Sequence, residues 1–286
     1  MVKYQTWWDY VKDAVCGDGT GAHLLGIAIT SQAEGAMPSE GWATGQGKST
    51  LAMQIMKKIL TELVGYDEYI AEDYIKKNML FNWKDYYDMM NRGMYEQRIF
   101  CATADDFHEW AGKHMSFSKP IQWIAREHTK KRPYLGVFIA TMEHLGSLAA
   151  AWRDGKFMFE MKVYEKGKYE VQYIKTKTKF NDPENPYKLL DKNTIKPLMG
   201  EFPRLSGELD IWYKEMRDIA NKESFREGWE LHFGKDAEPN ELPEEATSMD
   251  AFCRLARSCG VKATESNLRE LYNRVVKPTA ALVVAA

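Results

Sequence analysis

Residues 44–50 read Thr-Gly-Gln-Gly-Lys-Ser-Thr, and from Lys48 onward the apolar residues Leu51, Ile55, Met56, Ile59 and Leu60 recur at helical spacing. Few backbone arrangements satisfy both halves of this segment. Glycines let the chain curl so that several N–H groups face one anion, and a helix that starts there adds its positive end. In the pattern G-x-x-x-x-G-K-[ST], the lysine ammonium meets the β- and γ-phosphates and the hydroxyl ligates magnesium. Thr44, Gly45, Gln46, Gly47, Lys48, Ser49 and Thr50 are therefore the candidate nucleotide-binding residues. ATP and Mg2+ are the candidate cofactors. One position departs from the pattern: Trp42 stands where a glycine is asked for, with Gly41 just before it. The preceding apolar run, residues 23–30, also stops early. Either a short strand lies at 40–43 or the loop after residue 30 is long.

Other segments fall into an alternating order. Residues 5–16 predict an amphipathic helix and 23–30 a strand. Residues 66–96 predict more helix, dense in Tyr and Met, and 119–129 another. Residues 98–103 (RIFCAT) and 134–141 (YLGVFIAT) predict buried strands, the second followed by a Gly/Ala-rich helix to about Trp152. Residues 157–175 alternate around Lys166-Gly167-Lys168, the pattern of a β-hairpin. A loop is expected at 181–188 and a helix at 205–222. The expected fold class is α/β, with a mostly parallel central sheet flanked by helices, the hairpin and a small helical C-terminal extension.

Two strand ends carry polar residues of use to a nucleotide. The run 98–104 ends at Asp105-Asp106. Asp105 suits a magnesium ligand beside Ser49, while Asp106 or Glu109 suits the orientation of an attacking water. The run 134–141 ends at Thr141, a candidate γ-phosphate sensor, with Glu143 a rival catalytic base. Arg153 is a candidate to reach the nucleotide or a neighbouring subunit, and Arg126 belongs to a basic cluster with Lys130, Lys131 and Arg132. His108, His114, His128 and His144 invite a zinc reading, which their spacing rejects: no pair shares a helix face with a third ligand.

The series Gly47-Lys48-Ser49, then YIKKNMLFNWKDYYDMM, Asp105-Asp106, Thr141, a hairpin and PRLSGELDIWYKEMRD resembles P-loop ATPases of the RecA/AAA type. It resembles in particular those encoded by archaeal plasmids, viruses and related mobile elements. The resemblance covers roughly residues 40–220. It implies phosphate and magnesium binding by Lys48, Ser49 and Thr50, Asp105 as the Walker B acid, and Thr141 as the sensor. It implies an oligomeric ATPase acting in replication, packaging or partition of DNA. A small-molecule or nucleotide kinase, and a catalytically weak nucleotide-binding scaffold, share the phosphate loop and stay open as alternatives.

Composition sharpens this picture. Thirty-nine Lys+Arg nearly cancel 41 Asp+Glu, so no global field draws the chain to nucleic acid or membrane. The balance is local. Residues 235–248 are acidic with two prolines and read as a linker between a core at 1–234 and an extension at 249–286. That extension is locally basic, and with the hairpin lysines (Lys162, Lys166, Lys168, Lys175, Lys177) it is the expected DNA contact. No uncharged apolar run approaches the ~20 residues of a membrane span. The N-terminus lacks a signal-peptide pattern, and the four cysteines (Cys16, Cys101, Cys253, Cys259) form no C-x-x-C pair. A cytoplasmic protein, without membrane contact, is the expectation.

Overall fold

Three apolar runs are buried almost from end to end: LGIAITS, IFCATA and LGVFIAT. Only the interior of a parallel sheet, covered on both faces, accommodates such strands. The computed structural model describes residues 6–17, 24–31, 47–112, 119–128, 130, 133–153, 156–177 and 189–233. Its strands are β1 (Leu25–Ser31), β2 (Met79–Leu80), β3 (Ile99–Ala104), β4 (Leu135–Thr141), β5 (Phe159–Glu165), β6 (Lys168–Lys177) and β7 (Leu189–Glu201). Its helices are α1 (Trp7–Cys16), α2 (Lys48–Lys58), α3 (Glu68–Asn78), α4 (Trp83–Tyr95), α5 (Phe107–Ala111), α6 (Lys119–His128), α7 (Ala150–Arg153) and α8 (Glu208–Phe233). The chain divides into two units, Met1–Lys214 and Glu215–Ala286, and the division falls inside α8. The described part of the second unit is helix, with a Lys222–Asp218 ion pair of 2.7 Å along its surface.

All seven strands join one sheet in the order β2-β3-β4-β1-β5-β6-β7. The first five are parallel, and β5, β6 and β7 are antiparallel. The strand β4 therefore lies between β1 and β3. Ile29 pairs with Thr141, and Ala104 with Ala140, so the C-terminal ends of the three strands share one edge. In open sheets of this kind ligands bind outside that edge.

Packing locks the strands in this register. Gly136 has no room for a side chain: a Cβ there would meet the Phe100 carbonyl oxygen at 2.7 Å and that of Ala14 at 3.0 Å. Helix α1 is fixed at both ends. Thr6 and Asp9 form a reciprocal capping box at its start. At its end the Arg98 guanidinium donates to the carbonyl of Ala14 at 2.6 Å and to that of Val15 at 3.2 Å. Phe107 packs edge to face on both Phe138 and Trp152, with centroids 4.8 Å apart for Phe107 and Trp152.

Several stretches differ from the sequence expectation. Residues 66–96 are not one helical run: Met79 and Leu80 leave α3 to pair with Thr103 and Ala104 as β2. The stretch after β4 is mainly irregular, with one 3-10 turn at Leu145–Ser147 and only four residues in α7. Residues 189–201, not expected as a strand, form β7 and widen the expected hairpin of β5 and β6 to three strands. Gly167 does occupy that hairpin's turn, at φ 84°. The expected linker at 235–248, the extension at 249–286 and the possible strand at 40–43 lie outside the described residues. No described helix is long and apolar enough to cross a membrane.

His128, read from sequence as one of four scattered histidines, is a core residue. It is 2% exposed, and its Nδ1 lies 2.5 Å from the Tyr86 hydroxyl. Burial, with the nearby Lys156 charge, depresses its pKa to about 3. The folded state thus favours the neutral ring. The resulting stabilisation is complete above the unfolded value of about 6.5 and is lost as pH falls from there toward the folded value. Between pH 6.5 and 5 this one proton is expected to steepen the loss of stability by about 1.4 kcal/mol per pH unit at its limit. Urea unfolding of wild type and His128→Gln across that interval checks it, and the variant should show the shallower slope.

Candidate functional site

The turn into α2 depends on Gly47. Its φ of 96° lies in the left-handed region, and a Cβ there would approach the Phe202 ring to 3.3 Å. From this turn the carbonyl of Gly47 accepts the Leu51 N–H at 2.8 Å, while the first-turn amides of α2 keep no intrahelical partner. An anion is favoured at such a helix start. Lys48 is half-buried and Ser49 is buried at this end of the helix. Thr44, Gly45 and Gln46, expected to complete the anion cradle, lie outside the described residues.

Asp105 is the centre of the site. Its own amide donates to the Leu80 carbonyl at 2.8 Å, so it still belongs to the sheet. Its side chain turns into the interior, and the residue is 3% exposed. Oδ1 accepts from Ser49 Oγ at 2.6 Å and from Thr141 Oγ1 at 2.8 Å. Oδ2 accepts from the Tyr213 hydroxyl at 2.8 Å. Thr141 Oγ1 in turn accepts the Asp106 N–H at 2.9 Å, so that hydroxyl both donates and accepts at the site. The structure thus brings together Ser49, Asp105 and Thr141, three residues far apart in sequence.

The electrostatics of Asp105 are unbalanced. Burial and the neighbouring Asp106 push its pKa above the usual carboxylate range, and the hydrogen bonds from Ser49, Thr141 and Tyr213 pull the other way without cancelling the rise. Among the described residues the Asp105 carboxylate is held by neutral hydroxyls, and a buried carboxylate so held is a place where a cation is favoured. Ser49 is suited to share it. Its hydroxyl spends its proton on Asp105, which leaves the oxygen lone pairs for a metal. Among the described residues no group of three or more His, Cys, Asp and Glu is placed to hold a metal ion. Ser49 and Asp105 would need oxygens from a ligand to complete a hard cation's shell.

The remaining candidates separate. Asp106 starts α5 with φ 42°, an unfavourable value for a residue with a side chain. His108 follows on α5. Burial lowers its pKa, and the charges of Asp106, Glu143, Lys48 and His144 all act on it. The amide of Ser31 donates to the Glu143 carbonyl at 3.3 Å, so Glu143 stands where β1 and β4 both end. Glu109 is exposed on α5. Arg153 closes α7 and takes no part in the hydrogen bonds around Asp105 among the described residues. Arg126 is exposed on α6, 3.6 Å from Glu127.

Two site residues escaped the sequence reading. Tyr213 lies in the helix expected at 205–222, to which the sequence assigns no site residue. His108 was weighed only as a zinc ligand. The available signal for His108 was its spacing from Asp105-Asp106, one helical turn on.

Because the fold raises the Asp105 pKa, it prefers the uncharged acid. This site therefore costs stability at neutral pH and regains it as pH falls toward the unfolded carboxylate value. Asp105→Asn removes the charge and keeps the shape. The melting temperature of the ligand-free variant at pH 7 is expected to rise above wild type, by calorimetry; a fall would show that the three hydroxyls outweigh burial.

No model of a known family matches the chain and no curated protein matches it, so the reading of the site rests on the geometry around Asp105.

Proposed function

We propose that this chain is a magnesium-dependent P-loop ATPase that works as an oligomer on DNA. One observation carries the reading: the 2.6 Å hydrogen bond from Ser49 to Asp105. It joins the first turn of the helix after Gly47-Lys48 to the end of β3, across β4 with its terminal Thr141. A packing role for the loop alone does not require a buried acid aimed at its serine.

In this reading Lys48 and the first amides of α2 neutralise the β- and γ-phosphates. Ser49 and Asp105 would hold Mg2+, which neutralises charge on the bridged phosphate oxygens when bound. Asp106 and Glu143, whose charges act on His108 as that of Lys48 does, are the candidates to orient water and take its proton. Glu109, exposed outside this group, is the weaker candidate. Thr141 links the acid to the Asp106 backbone, so a change at the phosphate reaches the start of α5. DNA contact and assembly are supported by the sequence pattern: the hairpin lysines and the basic extension at 249–277.

The test is single-turnover ATP hydrolysis by wild type and Lys48→Ala, with and without single- and double-stranded DNA. Wild type is expected to release phosphate, and the variant to be slower by about two orders of magnitude or more, in line with loss of a transition-state cation. DNA should stimulate wild type, with an effect that falls steeply with salt. Equal inactivity of both proteins would overturn the enzymatic reading, and activity indifferent to DNA would remove the DNA part alone.

A further inference from the structure

Asp105 is held from two sides of the chain. Ser49 and Thr141 share Oδ1, and both belong to segments the phosphate reading already uses. Oδ2 is held by Tyr213, from the second turn of α8. Nothing in a phosphate loop requires that helix.

The segment leading to Tyr213 packs along the same edge. Phe202 is 9% exposed, and its ring lies where a side chain on Gly47 would have to stand. Its amide donates to the Gly167 carbonyl at 2.8 Å, which ties it to the hairpin turn. Gly207, at φ 74°, turns the chain into α8. Leu209 is 1% exposed, and Trp212 packs on Phe81 with ring centroids 6.5 Å apart. Residues 202–213 thus touch the start of α2, the residue after β2 and the end of β3.

On the reading of Ser49 and Asp105 as the magnesium pair, we infer that Tyr213 is a positioning residue of that site, and that cation binding and docking of residues 202–213 reinforce each other. A carboxylate anchored at Oδ1 alone can still rotate about its own bond. The Tyr213 hydroxyl removes that freedom and keeps Oδ1 turned toward Ser49. Partners of this kind, which bind a ligand rather than the metal, typically govern affinity by 10- to 100-fold. Coupling is reciprocal: if a docked α8 favours the cation, the cation favours a docked α8 by the same factor. If the cation had to take Oδ2, it would displace Tyr213, and docking would oppose binding.

The experiment uses the full chain, a fluorescent ATP analogue and a Mg2+ titration, on wild type, Tyr213→Phe, Lys48→Ala and Asp105→Asn. Tyr213→Phe keeps the ring and its packing. It is expected to raise the Mg2+ concentration for half-saturation about 10- to 100-fold, with nucleotide affinity in EDTA unchanged. Hydrogen exchange of amides 208–214 should slow when Mg2+ and ATP are added to wild type, and not in the variant. An unchanged or lowered Mg2+ requirement in Tyr213→Phe, where wild type still depends on Mg2+, overturns the inference and leaves the ATPase reading standing. Loss of affinity in EDTA as well assigns Tyr213 a merely structural role and overturns it too. If wild type and Lys48→Ala bind the analogue alike, or Asp105→Asn keeps the wild-type Mg2+ response, the phosphate reading itself fails and the inference falls with it.

Discussion

A single carboxylate organises this molecule. Asp105 sits 3% exposed at the end of β3 and gathers three hydroxyls that come from α2, β4 and α8. Unpaired charge in such a place is costly, and neutral hydroxyls reduce the cost without removing it. The arrangement is therefore stable enough to persist and unbalanced enough to favour a cation. The buried His128–Tyr86 pair differs in kind, since burial favours the neutral form of both side chains.

The sheet makes the convergence possible. Parallel strands present all their C-terminal ends on one edge, and the order β3-β4-β1 puts Asp105, Thr141 and the end of β1 next to one another. The register then decides which residues meet. A shift of one residue between β3 and β4 would turn Thr141 away from Asp105, since neighbouring side chains point to opposite faces. Gly136 pins that register, because the Phe100 and Ala14 carbonyls fill the space a side chain would need.

Much of this was legible in the sequence, for identifiable reasons. The strands β1, β3 and β4 are continuous apolar runs, a pattern that survives without tertiary information. Asp105 and Thr141 were legible because a polar residue ending such a run lands at the sheet edge. The strand β7 was not: LLDKNTIKPLMGE mixes charge, Pro and Gly, and its strand form comes from pairing with β6. The break between α3 and α4 was hidden for a similar reason, since Met79 and Leu80 fit a helical stripe as well as a short edge strand. Tyr213 was invisible because its spacing from Leu209 reads as core, and no periodicity tells a hydroxyl that reaches a carboxylate 108 positions away from one that meets solvent.

The choice among carboxylates shows how local geometry refines a list that sequence leaves open. Asp106, Glu109 and Glu143 are equivalent on paper. A helix turns about 100° per residue, so His108 and Glu109 leave α5 in different directions: His108 is half-buried and Glu109 is exposed. Glu143 gains a place by a different route: β4 lies beside β1, and the Ser31–Glu143 backbone bond brings it to the end of the strand that leads toward α2. Asp106 is held by its own amide on Thr141 and by a left-handed backbone, strain that a mere helix cap would not need. Strain of this kind persists where the surroundings over-determine it. Here the over-determining contact is the same hydroxyl that holds Asp105, so the acid that would meet the cation and the acid that would meet the water are set by one threonine.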